Sequence, residues 1–201
     1  MESNLDALTD LISRRLFVEL EASGRHVHLT TEQAAILFGH GLTEKRPLSQ
    51  PGQFLAQERV TLVGPKGKLT NVAVLGPERP AGQAEISLTD GVMLGIRPPV
   101  RLSGDIKGTP GITVEGPAGT IVMDEGVIAA QRHIHMTPED AALQNVKNGD
   151  TVRLRTMTTR PVVFEDVAIR VSPKFQTYAH LDYDEANACG LSAGDLGMIL
   201  R

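Results

Sequence analysis

The sequence contains one eleven-residue segment twice, and this duplication restricts the possible folds more than any other feature. The first copy, RHVHLTTEQAA, runs from Arg25 to Ala35, and the second, RHIHMTPEDAA, runs from Arg132 to Ala142. Seven of the eleven positions are identical, among them the arginine and both histidines. An internal repeat of this kind indicates two related half-sites within one chain.

Each copy predicts a short strand followed by a helix. Alternate side chains of a strand share a face, so the two histidines of each His-x-His point to the same side. Thr30 and Thr137 are favourable N-cap residues, and Pro138 suits the first helical position. Two imidazoles on one face of a strand can share a metal ion. Because the pair is duplicated with its flanks, metal binding is favoured over histidines that only form hydrogen bonds.

Composition excludes several classes of protein. The net charge is −4 and the chain contains no tryptophan, so a nucleic-acid partner is not expected. No apolar run approaches the ~20 residues that span a bilayer, and the acidic N-terminus does not resemble a signal peptide. We therefore expect no membrane partner. A single cysteine allows no internal disulfide, which fits a cytoplasmic location.

Residues 1–15 predict an N-terminal amphipathic helix. One apolar stripe is formed by Leu5, Leu8, Ile12 and Leu16. No flexible linker separates this helix from the strand-like segment that follows, so we expect it to pack on its own domain or on a dimer partner. Docking onto a different protein is the alternative.

The remainder of the chain is typical of short strands separated by glycine and proline turns. VTLVGPKGKLTNVAVLGP predicts a hairpin, and EISLTD and VMLGI are expected to be strands. Helices are expected only at the N-terminus, after each repeated motif, and from Asp184 to Ala188. This pattern predicts small β-barrels or sandwiches.

Three more candidates for a functional role lie outside the repeat. Arg79 and Glu85 occur in LGPERPAGQAEISLTD, where by themselves they indicate little. His180 in HLDYDEANACG is more informative, because each histidine pair needs a third protein ligand to form a catalytic zinc site. Cys189 is expected to be a buried small residue rather than a nucleophile.

Four separated motifs together resemble a known family. RHVHLT, LGPERPAGQAEIS, RHIHMTPEDA and HLDYDEANACGL are similar to the PduL-type phosphotransacylases, the phosphate propanoyltransferase family of bacterial microcompartments. The resemblance implies a mainly β fold with two small β-barrel domains, short capping helices and an N-terminal helix. Residues 16–24 and 131–201 would form the barrel with the second His-x-His, and residues 25–130 would form an inserted barrel with the first.

The same resemblance implies a function. The expected reaction is direct transfer of an acyl group from propanoyl-CoA or acetyl-CoA to phosphate, giving acyl phosphate and coenzyme A. The resemblance also implies two zinc ions per chain, a homodimer, and location in the cytoplasm or in a microcompartment lumen. In that setting the N-terminal helix would bind a shell protein.

The implied site residues match positions of this sequence one by one. Arg79 corresponds to the catalytic arginine that binds phosphate. The zinc ligands fall into two sets of three: His26, His28 and Glu85 for the first ion, and His133, His135 and His180 for the second. The thiol of coenzyme A would complete the first site, whereas the second keeps open positions for water or phosphate. No side-chain nucleophile is required, because positioning phosphate beside the thioester supplies much of the rate.

Two other classes of protein remain open from the residues alone. HVHLTTE has the His-x-His-x3-Glu spacing of a cupin metal site, and Gly39 follows at the cupin spacing. A cupin needs Glu32 on a strand, however, whereas the residues after His28 predict a helix. The second alternative is a zinc-stabilised scaffold without catalytic activity. A hydrolase on a (β/α)8 barrel is not favoured, because that fold typically has about 250 residues.

Overall fold

Two separate apolar cores divide the chain into two units. The structure, a computed structural model, describes residues 2–200, and the side chains from Asn4 to Leu200. The barrel unit comprises the residues up to Ser23 and those from Arg132 onward, and the inserted unit comprises Gly24–Gln131. The elements, in chain order, are α1 (Glu2–Leu16), β1 (Val18–Ser23), β2 (His26–His28), α2 (Thr31–Phe38), β3 (Glu44–Pro47), β4 (Phe54–Val63), β5 (Lys68–Gly76), β6 (Gln83–Glu85), α3 (Leu88–Leu94), β7 (Val100–Arg101), β8 (Ile112–Glu115), β9 (Thr120–Met123), β10 (Val127–Ala130), β11 (His133–Met136), α4 (Pro138–Leu143), β12 (Thr151–Met157), β13 (Val163–Val171), β14 (Tyr178–Asp182), α5 (Tyr183–Cys189) and β15 (Leu196–Leu200).

The strands of the barrel unit form a closed barrel in the order β1-β14-β11-β13-β12-β15. Antiparallel pairing of β15 with both β12 and β1 closes it. Alternation along β1 contributes to the core: Val18 and Leu20 are buried, whereas Glu19 between them is exposed. Ile134, the residue between the two histidines of β11, is buried in the same core.

The strands of the inserted unit form one curled sheet in the order β7-β10-β6-β2-β5-β4-β8-β9, with β3 paired to β4. The predicted hairpin is present as β4 and β5, joined by a turn from Gly64 to Gly67. The prediction of a mainly β fold with short helices is confirmed. The barrel unit is closed, whereas the sheet of the inserted unit is a curled half-barrel.

The prediction of strands at EISLTD and VMLGI is wrong, because most of these residues belong to the helix α3. The strand ends at Glu85, and a seven-residue helix begins at Leu88. The hydroxyl of Ser87 caps this helix, and Gly95 ends it in the left-handed region at φ 76°. The strand prediction fails because so short a helix shows no clear helical period, and its apolar residues then resemble a buried strand.

The helix α1 is attached to the barrel unit at its C-terminal end. Arg14 forms an ion pair with the buried Asp140 of α4 at 2.7 Å, and Gln144 donates to the carbonyl oxygens of Arg14 and Phe17. The apolar stripe of the helix is exposed, however, with 64% of Leu5 accessible. Packing on its own unit is therefore limited to this end, and contact with a dimer partner stays a prediction. No helix among residues 2–200 is long and apolar enough to cross a membrane.

Candidate metal centres

The first cluster of candidate ligands lies at the middle of the sheet of the inserted unit. His26 and His28 project from the same face of β2, and the antiparallel register of β2 with β6 sets Glu85 opposite His26. The two Nε2 atoms are 3.1 Å apart, and Glu85 Oε1 lies 3.6 Å from one and 3.7 Å from the other. Donors at zinc-ligand distances on a tetrahedron are ~3.3–3.4 Å apart. The three side chains therefore fit a zinc ion.

Backbone carbonyls orient both imidazoles of this cluster. Nδ1 of His26 lies 2.8 Å from the carbonyl oxygen of Gly24, and Nδ1 of His28 lies 3.3 Å from that of Leu75. When each Nδ1 carries the proton and donates to its carbonyl, both Nε2 lone pairs face Glu85. Metal-binding histidines are commonly oriented by such an outer hydrogen bond.

A hydrogen-bonded chain connects Glu85 to Arg79. The amide of Gln83 donates to Glu85 Oε1 at 2.6 Å and to the hydroxyl of Ser103 at 3.0 Å, and Arg79 Nη1 donates to the same hydroxyl at 3.0 Å. The backbone N–H of Gly104 donates to the amide oxygen of Gln83 at 2.8 Å. Arg79 is thus held in the inserted unit, beside the first cluster. Sequence reasoning missed Gln83, although its position two residues before Glu85 on a strand indicates a shared face.

The charges of the first cluster are strongly coupled. Burial alone would raise the pKa of Glu85, but the facing imidazoles hold that pKa well below its usual range. Burial opposes charge on His26, yet the carboxylate of Glu85 outweighs it and raises the pKa of His26. Burial lowers the pKa of His28 to about 4, and the guanidinium of Arg79 contributes to that depression. Of these three side chains, His26 therefore keeps a proton to the highest pH.

The second cluster lies in the wall of the barrel unit. β11 places His133 and His135 on one face, and its antiparallel register with β14 sets His180 opposite His133. One ligand nitrogen from each ring lies within 4.8 Å of the other two. Outside the triad, Nδ1 of His180 is 3.4 Å from a carboxylate oxygen of Glu21, and the ring of Phe175 packs 4.1 Å from that of His135. Three neutral imidazoles are the ligand set of a catalytic zinc with an open position.

Other residues weighed in the sequence lie outside both clusters. Glu32 and Glu139 are exposed on α2 and α4, so neither can complete a metal site on a strand, and the cupin interpretation is wrong. Cys189 is fully buried, as predicted, and burial raises the pKa of its thiol. Asp182 is the N-cap of α5, where its carboxylate accepts a hydrogen bond from the backbone of Glu185.

Comparison with known proteins identifies the family. The model of the phosphate propanoyltransferase family matches residues 19–192. A phosphate propanoyltransferase of Enterococcus faecalis is 53% identical over 185 residues, which cover 91% of this chain and 88% of the relative. One from Clostridioides difficile is 49% identical over an alignment of 207 residues, covering 100% and 99%, and one from Listeria monocytogenes is 50% identical over 203 residues, covering 98% and 95%.

These matches define the class of protein as a phosphotransacylase, so the prediction of an enzyme of this class is confirmed. The chain belongs to the phosphate propanoyltransferase family, as the four motifs predicted. A scaffold without catalytic activity does not fit this membership. The structure brings together the residues of each predicted set of three and holds Arg79 beside the first.

Proposed function

We propose that this chain transfers an acyl group from coenzyme A to phosphate, with a zinc ion held by each cluster. In the forward direction the thioester carbon bonds to a phosphate oxygen and the C–S bond breaks, so that acyl phosphate and coenzyme A are released. Propanoyl-CoA is the expected donor, in keeping with the name of the relatives. The observation that carries the proposal is the pair of three-ligand clusters in a chain of this family.

The two ligand sets suit different parts of this reaction. A bound zinc supplies Lewis-acid stabilisation of negative charge in either site. The three neutral imidazoles of His133, His135 and His180 leave the full charge of a divalent ion for an anion such as phosphate. In the other set, the carboxylate of Glu85 cancels part of that charge, which suits an ion whose remaining ligand is the thiol sulfur of coenzyme A.

Arg79 is the proposed phosphate-binding side chain. Its guanidinium has one nitrogen anchored by Ser103, and its backbone N–H donates to the carbonyl of Leu29 at 2.8 Å. A planar guanidinium presents several donors and can bind two phosphate oxygens at once. Anchoring of the backbone and of one nitrogen reduces the entropy lost when phosphate binds, because the side chain is already ordered.

Direct transfer is proposed because a phosphate held beside the thioester carbonyl is itself a sufficient nucleophile. Two serines and the single thiol of the chain have other contacts. Ser103 accepts hydrogen bonds from Arg79 and Gln83, and Ser87 caps α3. Cys189 is fully buried, and its thiol lies 3.5 Å from the carbonyl of Ala186, to which it donates. A covalent acyl-enzyme would need one of these groups to be released first.

The reaction is tested by measuring release of coenzyme A from acetyl-, propanoyl- and butanoyl-CoA, with and without phosphate. Metal analysis of the same sample gives the number of zinc ions per chain. We expect phosphate-dependent release, two zinc ions per chain and intersecting initial-velocity lines. A Cys189→Ala enzyme should have near-normal turnover. Parallel lines, or an acyl group trapped on Cys189, would contradict direct transfer, and one zinc per chain would contradict the two-site assignment.

We also propose that the exposed stripe of α1 binds another protein. Its apolar side chains are solvent-accessible at 64% for Leu5, 52% for Leu8 and 47% for Ile12. Either a second copy of the chain, as in a homodimer, or a microcompartment shell protein would cover them. The family resemblance favours the shell protein for this helix.

Deletion of residues 2–12 tests this binding surface, because it removes three of the four stripe residues, Leu5, Leu8 and Ile12, and keeps Arg14. We expect turnover and zinc content to stay unchanged while co-purification with shell protein is lost. Sedimentation of both forms shows whether self-association depends on the helix. As a matched control, Arg14→Ala keeps the stripe but removes the ion pair with the buried Asp140, so it should lower thermal stability without releasing the partner.

A further inference from the structure

The arginine that begins each repeated motif forms an ion pair with an acidic residue of the helix that follows the third ligand of its cluster. In the inserted unit, Arg25 immediately precedes His26. Its Nε donates to Asp90 Oδ2 at 3.0 Å, and its Nη2 lies 2.8 Å from Oδ1, so the pair is bidentate. The side chain of Asp90 is only 2% accessible. A carboxylate buried to this extent needs a cationic partner.

The barrel unit contains the equivalent pair. Arg132 immediately precedes His133, and its Nη1 donates to Glu185 Oε1 at 2.9 Å. Its Nε donates to the backbone carbonyl of Glu165 at 2.6 Å, and its guanidinium lies over the ring of Phe164 at 5.8 Å from the ring centre. This arginine is therefore held from three directions.

The two acids occupy the same structural position relative to the third ligand of each cluster. Glu85 is followed two residues later by the N-cap Ser87 and five residues later by Asp90 at the third position of α3. His180 is followed at the same offsets by the N-cap Asp182 and by Glu185 of α5. Each acid also accepts a hydrogen bond from the backbone N–H of its own N-cap residue.

The strand register brings these parts together. His26 is paired with Glu85 across β2 and β6, and His133 is paired with His180 across β11 and β14. The first histidine and the third ligand therefore lie directly opposite each other. The arginine precedes that histidine, and the helix follows that ligand. The ion pair connects the two chain segments just beyond the ligands and limits the sliding of one strand along the other.

We propose that Arg25–Asp90 and Arg132–Glu185 are positioning pairs, each of which holds the third metal ligand against the His-x-His of its own unit and so sets the metal affinity of that site. The third ligands, the caps and the acids differ in type between the units, whereas the arginine, the offsets and the pairing are the same. What the two units share is the need to hold three donors in place. The inference rests on the proposed metal binding by the two clusters.

Competition between each protein and a zinc chelator tests this proposal, with cobalt(II) absorption spectra as a second readout. Groups that orient metal ligands typically change metal affinity by roughly 10- to 100-fold. We expect Arg25→Ala to weaken one of the two bound ions by that factor and to leave the other at wild-type affinity. Arg132→Ala should weaken only the ion that Arg25→Ala leaves unchanged, so each variant is the control for the other.

Three further variants separate positioning from folding. Arg25→Lys keeps a single contact to Asp90, so it should restore part of the affinity and covers the case in which Arg25→Ala does not fold. Asp90→Asn keeps the capping acceptor, and its effect should not add to that of Arg25→Ala, because both break the same pair. Lys68→Ala breaks the exposed Lys68–Glu115 pair at 3.0 Å in the same unit and should leave both affinities unchanged.

The outcomes distinguish this proposal from the one on which it rests. A wild-type protein that binds no metal would overturn both. The positioning role alone would be overturned if the wild type bound two ions and if Arg25→Ala and Arg132→Ala bound both with unchanged affinity. In that case the variants would show only a lower melting temperature. Equal weakening of both ions by either variant would also overturn it, because the effect would then not belong to one site.

Discussion

The half-sites of the inserted unit and the barrel unit share a backbone arrangement but differ in where they carry their negative charge. In each, the His-x-His strand has a parallel neighbour on one side and an antiparallel neighbour with the third ligand on the other: β5-β2-β6 and β13-β11-β14. A further parallel strand follows, β10 beside β6 and β1 beside β14. One supersecondary unit is therefore used twice.

The difference lies at the third ligand and at the residue paired with it on the outer strand. The carboxylate of Glu85 itself belongs to its cluster, and the residue paired with Glu85, Ile128, is buried and apolar. His180 is paired with Glu21, whose carboxylate lies 3.4 Å from Nδ1 of the imidazole. The acidic residue is therefore the third ligand in the inserted unit, whereas in the barrel unit it lies on the next strand and contacts the third ligand. The same backbone thereby provides two sites with different net charge.

Of the changes that test this comparison, removal of the third ligand should have the largest effect on zinc content and activity. We expect Glu85→Ala and His180→Ala each to lose one of the two zinc ions and to lower kcat/KM on the order of 10³-fold, because several kcal/mol of charge stabilisation is lost. Metal analysis and the coenzyme A release assay measure both effects. Glu32→Ala, which removes the exposed glutamate of the first motif, is the control and should match the wild type. Full activity of either ligand variant would contradict the two-site assignment.

Arg79→Ala should have the next largest effect. A charge-assisted contact with phosphate contributes about 1.5–3 kcal/mol, so kcat/KM should fall roughly 10- to 150-fold, with a larger rise in the KM for phosphate than in that for acyl-CoA. Lys should rescue only part of this loss, because it lacks the planar fork of donors. Zinc content should stay the same. An enzyme with unchanged dependence on phosphate would show that Arg79 does not bind it.

A smaller effect is expected from Glu21→Gln, which tests the acid behind His180. Loss of the carboxylate should weaken the metal of the barrel unit by about tenfold, at the lower end for such outer groups, because the Glu21 side chain is 38% accessible and water can partly replace it. Chelator competition measures this change. Glu19→Gln alters the neighbouring exposed residue of the same strand and serves as the control. Weakening of both ions would mean that Glu21 acts through the fold of β1.

The smallest expected effect is on the pH dependence of metal binding by the first cluster. The pKa of His26 is raised in the metal-free protein, because Glu85 outweighs the effect of burial. A metal ion must displace that proton, so affinity should rise with pH below this pKa and level off above it. One displaced proton corresponds to roughly threefold in affinity per half pH unit. Chelator competition at several pH values measures the slope, and a flat profile at pH values near and below about 6.5 would contradict the charge state assigned to His26.

The sequence alone determined the features that depend on local pattern. Alternating side chains and a duplicated motif were enough to predict the strands with paired histidines, the helices capped at Thr30 and Thr137, the β4–β5 hairpin and the mainly β fold. Separated motifs in a fixed order were enough to predict the family. The strands, helices and hairpin follow from residues close to one another in the chain, whose spacing matches the period of a strand or a helix.

Local pattern did not determine which distant residues meet: the family resemblance implied the two ligand sets, and only the tertiary structure shows how they are brought together. The register of β2 with β6 sets Glu85 opposite His26 and Gln83 opposite His28. In the barrel unit, His180 lies opposite His133 on one side and Glu21 on the other. Strand partners are chosen by burial of a shared core and by pairing over long loops, so no local period encodes them. For the same reason, the pairing of Arg25 with Asp90 could not be predicted until α3 was known to begin at Leu88, three residues after Glu85.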